Sequence, residues 1–172
     1  MNLKKAVNLE LRELVLLGVI VAIKIVLSQF SFGPAFVKVG LGFIGSVMLG
    51  YLFGPLCGAI GGGISDLVSS AIFGNQGGFF IGFTLTAMAA PFIYGLFFYQ
   101  KPLKVWRVIV ATLLVTIIVN IGMNTLWIHF LYGVNLQAVF LQRLPKEIIV
   151  PWIQMLITCI VLQALSRVKI KR

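Results

Sequence analysis

A single carboxylate, Asp66, stands in an otherwise uncharged run of 62 residues from Val39 to Gln100. A carboxylate in so apolar a setting is costly unless something pairs with it, which makes it a candidate for function. Two partners are open to it. One is Lys24, the other charge set inside an apolar stretch. The second is a ligand: a carboxylate accepts two parallel N–H bonds, and a 2-amino-4-oxo pyrimidine edge offers such a pair. A second constellation is Asn120, Asn124 and Trp127, spaced i, i+4 and i+7 and so on one helical face. Amides beside a flat aromatic suit a heteroaromatic ligand that stacks and hydrogen-bonds. His129 and Tyr132 follow; with Trp127 they form either an interfacial aromatic belt or part of that site. A third constellation is charged. Arg143, Lys146 and Glu147 precede one apolar segment and Lys38 precedes another. The cations among them make either ordinary headgroup contacts or an anion clamp at the mouth of a cavity. Phe32, Phe36, Phe79, Phe80 and Phe83 gather toward the same end, with Thr84 nearby. Gln154, two positions past Trp152, can face inward.

Covalent chemistry has little support. Gly63-Ile64-Ser65 resembles the serine motif of an intramembrane protease, the one enzymatic alternative. The single histidine, His129, sits near the end of a different segment. There is no H-E-x-x-H, paired carboxylate or phosphate loop, so the expectation is a protein that is not an enzyme, with no metal and no cofactor of its own. Cys57 and Cys159 lie about 100 positions apart without metal-ligand spacing and are expected to be small apolar packers.

The elements that position these residues follow from composition. Hydrophobic residues make up 60% of the 172 and charged residues 10%, with a mean hydropathy of +1.07. Soluble domains carry about 25% charged residues. In lipid the backbone must satisfy itself, and continuous rather than alternating apolar runs select helices over a barrel. About 20 residues cross the hydrocarbon core. The expected architecture is an all-α membrane protein, one domain over 1–172, with six transmembrane helices. They run near Leu11–Phe30, Val39–Phe53, Leu56–Phe73, Phe79–Tyr99, Val108–Leu131 and Ile148–Ser166. The first apolar stretch lacks a small-residue cleavage site, so no cleaved signal is expected.

A net charge of +10 raises the question of a nucleic-acid partner, but the cations gather at the ends and in one short loop. One face of the bundle would carry Lys4, Lys5, Arg12, Lys101, Lys104, Arg107, Arg167, Lys169, Lys171 and Arg172. The other would carry Lys38, Arg143 and Lys146. That asymmetry places both termini in the cytoplasm of a multi-pass plasma-membrane protein and argues against nucleic acid. The outer loops, 31–38, 74–78 and 132–147, hold the aromatic and polar groups, so the chemistry faces outward.

Glycine is dense from Gly40 to Gly63, with nine in 24 residues. Small residues four apart let helix backbones approach closely; alternatively, the glycines soften helices that must move. Gly18 and Ala22 make another such pair, either packed inside the bundle or offered to a partner membrane protein.

Taken together, these stretches resemble the S components of energy-coupling factor (ECF) vitamin transporters. Gly50-Tyr51-Leu52-Phe53-Gly54-Pro55-Leu56-Cys57-Gly58 and Gly62-Gly63-Ile64-Ser65-Asp66-Leu67 are similar to that family's second and third helices. Gly82-Phe83-Thr84-Leu85-Thr86-Ala87 resembles a narrower group within it. Asn124-Thr125-Leu126-Trp127, Tyr132-Gly133 and Arg143-Leu144-Pro145-Lys146 resemble the folate-specific S component. The resemblance implies vitamin capture from outside, a membrane partner, EcfT, and two cytoplasmic ATPases that use the ATP. It also implies contact with EcfT through Gly18 and Ala22; the family often has alanine at both positions. In this family the S component is thought to topple in the membrane to release cargo. Under this resemblance Asp66, Asn124 and Trp127 suit a pterin, and the phenylalanines suit its aminobenzoyl linker. Arg143, Lys146 and Lys38 suit the glutamate carboxylates, and loop 31–38 would act as a lid. An S component for another vitamin or pterin-like precursor is the alternative.

Overall fold

The computed structural model describes residues 11–32, 39–74 and 80–167. Among them the chain is helical almost throughout: α1 is Leu11–Gln29, α2 Gly42–Phe73, α3 Ile81–Phe98, α4 Val105–Tyr132 and α5 Leu136–Arg167. A two-residue antiparallel ladder, β1 (Ser31–Phe32) with β2 (Val39–Gly40), joins α1 to α2 and pairs Ser31 with Gly40. Helices α2 to α5 are each long and apolar enough to cross a membrane. Helix α1 has 19 residues, enough for about 28 Å of rise, but carries Arg12, Glu13 and Lys24.

The second and third expected spans form one run, α2, broken at Gly54. There φ is 79° and ψ is −174°, a conformation glycine adopts without Cβ strain. Pro55 follows as the first residue of the new limb, where a missing N–H costs nothing. The two limbs, 42–53 and 55–73, hold α3 by backbone contact. A Cβ on Gly50 would lie 2.7 Å from the Gly95 nitrogen and the Pro91 carbonyl, and one on Gly95 would lie 2.5 Å from the Pro55 nitrogen. One on Gly62 would collide with the Ala87 carbonyl. The glycines therefore act as packing surfaces between these two helices.

Two buried clusters hold the bundle together. Tyr94, Phe98, Val47, Val108, Val115 and Leu162 form the first; Leu17, Ile20, Leu49, Leu52, Phe53 and Cys57 form the second. Large apolar side chains also lie outside. Trp152, Leu156 and Ile160, four apart on α5, are 66%, 69% and 67% exposed, and Ile109, Leu113 and Ile117 repeat the stripe on α4. Helices apolar on both the inner and outer faces belong in lipid. The protein is a helical membrane protein.

Two elements depart from expectation. The middle of α4, Val115–Met123, is a π-helix between α-helical ends. Helix α5 begins at Leu136 rather than near Ile148, so Arg143, Lys146 and Glu147 are helical and not in a loop. Their charges, with Pro145 among them, imitate a loop in sequence, but the helix turns them toward a cavity.

Candidate functional site

All five helices wall a cavity of about 280 Å³. Its polar lining comes from Lys24 on α1, Ser46 on α2, Thr86 on α3, Asn120 and Asn124 on α4, and a charged group with Gln154 on α5. Tyr94, Val115, Val119 and Val150 supply apolar wall. This mixture of apolar wall and a few convergent polar groups characterises small-molecule sites.

Lys24 is 7% exposed although it lies near the middle of an apolar helix. Its stem passes α2 at Gly45, where any Cβ would collide with the Lys24 Cβ and Cγ. Its Nζ donates to the Gly62 carbonyl at 3.5 Å, an oxygen that also accepts from Ser65 Oγ at 2.7 Å. That one long bond leaves most of the ammonium's three-donor capacity unused. On the opposite wall the π-helix carries Asn120 to the cavity and Asn124 follows directly at its end; π-segments recur at functional sites. Helix α5 brings Arg143 and Lys146, both half-buried, and Glu147, which is 6% exposed.

Several expected residues are in this wall and others stand behind it. Asn124, Arg143, Lys146 and Gln154 line the cavity. Asp66 is half-buried and is not among the lining residues; its Oδ2 accepts a 2.8 Å hydrogen bond from Thr84. Trp127 also stands outside the lining. Its Nε1 donates to Thr86 Oγ1 at 3.1 Å, and that hydroxyl donates to the Gly82 carbonyl. Thr86 thus transmits the position of Trp127 to the cavity. Phe83, Phe80 and Trp127 make an edge-to-face aromatic cluster, with ring centroids 5.7 to 5.8 Å apart along the chain of contacts. His129 Nδ1 bonds the Val134 carbonyl at 2.7 Å, where Gly133 ends α4 in the left-handed conformation. Tyr132 is 55% exposed. Phe36, Lys38 and Phe79 lie outside the described residues, as does most of loop 31–38. Gly18 and Ala22 face away from the bundle, and a Cβ on Gly18 would meet nothing within 4 Å.

Four polar cavity residues carried no site assignment from sequence: Lys24, which was weighed as a partner of Asp66, and Ser46, Thr86 and Glu147. Their signal was weak because a helical lysine, a serine or threonine in an apolar run and a glutamate after a lysine each have ordinary explanations. Ser65 is buried and hydrogen-bonds its own helix, while His129 is engaged at the end of α4, so the two hold separate partners rather than forming a catalytic pair. Among the described residues no three His, Cys, Asp or Glu side chains gather to hold a metal ion.

A helical membrane bundle with a polar-lined internal cavity has the makings of a small-molecule site. The model of the ECF transporter substrate-specific component matches residues 12–163, and the chain belongs to that family. It is a transporter component and not an enzyme. The folate transporter FolT of Clostridium novyi (strain NT) is 39% identical over 137 residues, 79% of each chain. FolT of Streptococcus mutans serotype c is 30% identical over 172 residues, covering 95% of this chain and 92% of the other. Among solved structures, a crystal structure of FolT bound with folic acid is 39% identical, with a TM-score of 0.80 over 87% of this chain and 91% of that one.

Proposed function

We propose that this chain is the folate-binding subunit of an ATP-driven vitamin importer. It would cross the plasma membrane six times, counting the two limbs of α2 separately, with both termini in the cytoplasm. It would capture folate on the outer side. Gly18 and Ala22 would dock EcfT, and ATP would be used by two partner ATPases rather than by this chain.

The observation that carries the cargo assignment is the likeness to FolT with folic acid, at 39% identity and a TM-score of 0.80. The charge of the cavity supports it. Three cations, Lys24, Arg143 and Lys146, and one carboxylate, Glu147, share the lining. The excess of two positive charges complements the two carboxylates of a glutamate tail, while Asn120, Asn124 and Gln154 suit a polar heteroaromatic ring. In this reading Asp66, Thr84, Trp127 and Phe83 form the supporting wall, and Phe36 and Lys38 belong to the lid.

Calorimetry of the purified protein against folate, thiamin, riboflavin and pantothenate tests the proposal. Tight binding of folate alone is expected. Binding of another of these vitamins with no response to folate would make the chain an S component for a different cargo.

A further inference from the structure

Tyr94 on α3, Thr112 on α4 and Thr158 on α5 are all completely buried, at 0% exposure. Among the described residues, none of their three hydroxyls has a hydrogen-bond partner. The Tyr94 hydroxyl stands near that of Thr112 without making a hydrogen bond of good geometry. Neighbouring threonines of the same two helices solve this problem locally: Thr86 on α3 and Thr116 on α4 each donate to the carbonyl four residues back. The chain positions put the three unpartnered hydroxyls at one level of the bundle. Tyr94 lines the cavity, and Thr112 lies three residues before Val115, which also lines it. Thr158 lies about one turn past the lining residue Gln154 and about one turn before Leu162. Leu162 packs with Tyr94, Phe98, Val108 and Val115 in one buried cluster. The hydroxyls thus stand between the polar cavity and an apolar seal.

A buried hydroxyl without a partner is costly, and more so within a membrane, where bulk water cannot reach it. Three of them, sent by three helices to one level, call for a shared partner. We infer that an internal water molecule is bound there, bridging α3, α4 and α5 beneath the cavity. A buried water typically makes about three hydrogen bonds to groups that otherwise have none, and the three hydroxyls offer that number. Each hydroxyl can donate or accept, so a neutral molecule that does both fits all of them. An ion fits poorly, because none of the three side chains carries a charge to offset its desolvation. Thr112 and Thr158 stand outside the cavity lining, so this site lies behind the wall and apart from the space available to cargo.

The test is thermal unfolding in detergent, without folate, of wild type, Tyr94→Phe, Thr112→Val, Thr158→Val and the triple variant. Each substitution deletes one hydroxyl and nearly keeps the side chain's shape. Each single variant should lower Tm by about 2–4 °C, because it breaks the bridge and leaves the other two hydroxyls stranded. The triple variant removes all three together and should be more stable than the least stable single variant. The inference is overturned if any single variant keeps or raises the wild-type Tm, as loss of a hydroxyl with no partner would. It is also overturned if the triple variant is no more stable than the least stable single one. A wild-type structure at a resolution that shows ordered water needs no variant to fold. Density within hydrogen-bond distance of all three oxygens is expected there, and its absence overturns the inference. So does a Tm that shifts when sodium chloride is exchanged for potassium chloride or sodium gluconate at equal ionic strength, which would make the bound species an ion. No folate enters these measurements, so their outcome is independent of the cargo assignment.

Discussion

Thr84 donates a 2.8 Å hydrogen bond to Asp66, so the acid in the long uncharged run is anchored to the neighbouring helix α3. Lys24 has its own partner in the Gly62 carbonyl, one turn earlier than Asp66 on α2. The two charges thus keep separate hydrogen-bond partners, one behind the cavity wall and one in it, while the Asp66 carboxylate still acts electrostatically on the Lys24 ammonium.

The first prediction concerns that anchor. Thr84→Val should destabilise the protein by about 1–3 kcal/mol, because it leaves the partly buried carboxylate without its donor. Thr84→Val and Asp66→Asn should be non-additive in a double-mutant cycle of thermal unfolding in detergent. Folate affinity should fall less in Asp66→Asn than in Glu147→Gln. Strictly additive effects on stability would mean that the hydrogen bond carries no weight.

The second prediction concerns the passage of the lysine stem. Gly45→Ala places a methyl where the Lys24 Cβ and Cγ now run. Overpacking of this kind costs about 1–3 kcal/mol, and here it must also displace Nζ from the cavity. Folate binding should weaken along with stability, whereas Gly18→Ala, which opens onto empty space, should leave both unchanged. Normal folate affinity in Gly45→Ala would show that the lysine head can reach its place by another path.

The third prediction concerns the tail of the cargo. Pteroate lacks the glutamate and should bind more weakly than folate to wild-type protein. Lys24→Met should erase a large part of that difference, since a buried charge-assisted bond is worth about 1.5–3 kcal/mol. Lys146 is only half-buried, and its loss should cost about 1 kcal/mol or less. Equal wild-type affinities for folate and pteroate would remove the cations from tail recognition.

The bilayer made much of the fold legible before any coordinates, because it allows few ways to bury 60% apolar sequence. The break at Gly54-Pro55, the close glycine contacts and the ends of α3 and α4 all carry local chemical signals. The π-segment does not. Val115–Met123 is as apolar as any α-helical run, and its register is set by packing against its neighbours. That register decides which residues line the cavity. Asn120 and Asn124 line it, whereas Trp127, on the same face of an ideal α-helix, turns to Thr86. Glu147 was hidden for a different reason. Beside Lys146 and ahead of a long apolar run it resembles a headgroup contact. Only its burial, produced by the early start of α5, marks it as something else.

The last prediction separates transport from binding. Gly18 and Ala22 lie one turn apart on the outward face of α1, and a side chain added at Gly18 would project into open space. The same helix turns Lys24 inward to the cavity, so α1 carries the proposed partner face and a cavity residue on different sides. Small residues leave a shallow groove that a helix of another membrane protein can enter closely. Gly18→Leu or Ala22→Leu would fill that groove without touching the cavity. Folate affinity of the purified protein should therefore stay within about threefold, or about 0.65 kcal/mol, while folate uptake by cells carrying the whole transporter falls sharply. Co-purification with EcfT should fall in parallel. If the double variant takes up folate normally in an ATP-dependent assay, the outward face of α1 contacts lipid alone, and the partner surface must lie on another of the exposed apolar stripes, such as Trp152, Leu156 and Ile160 on α5.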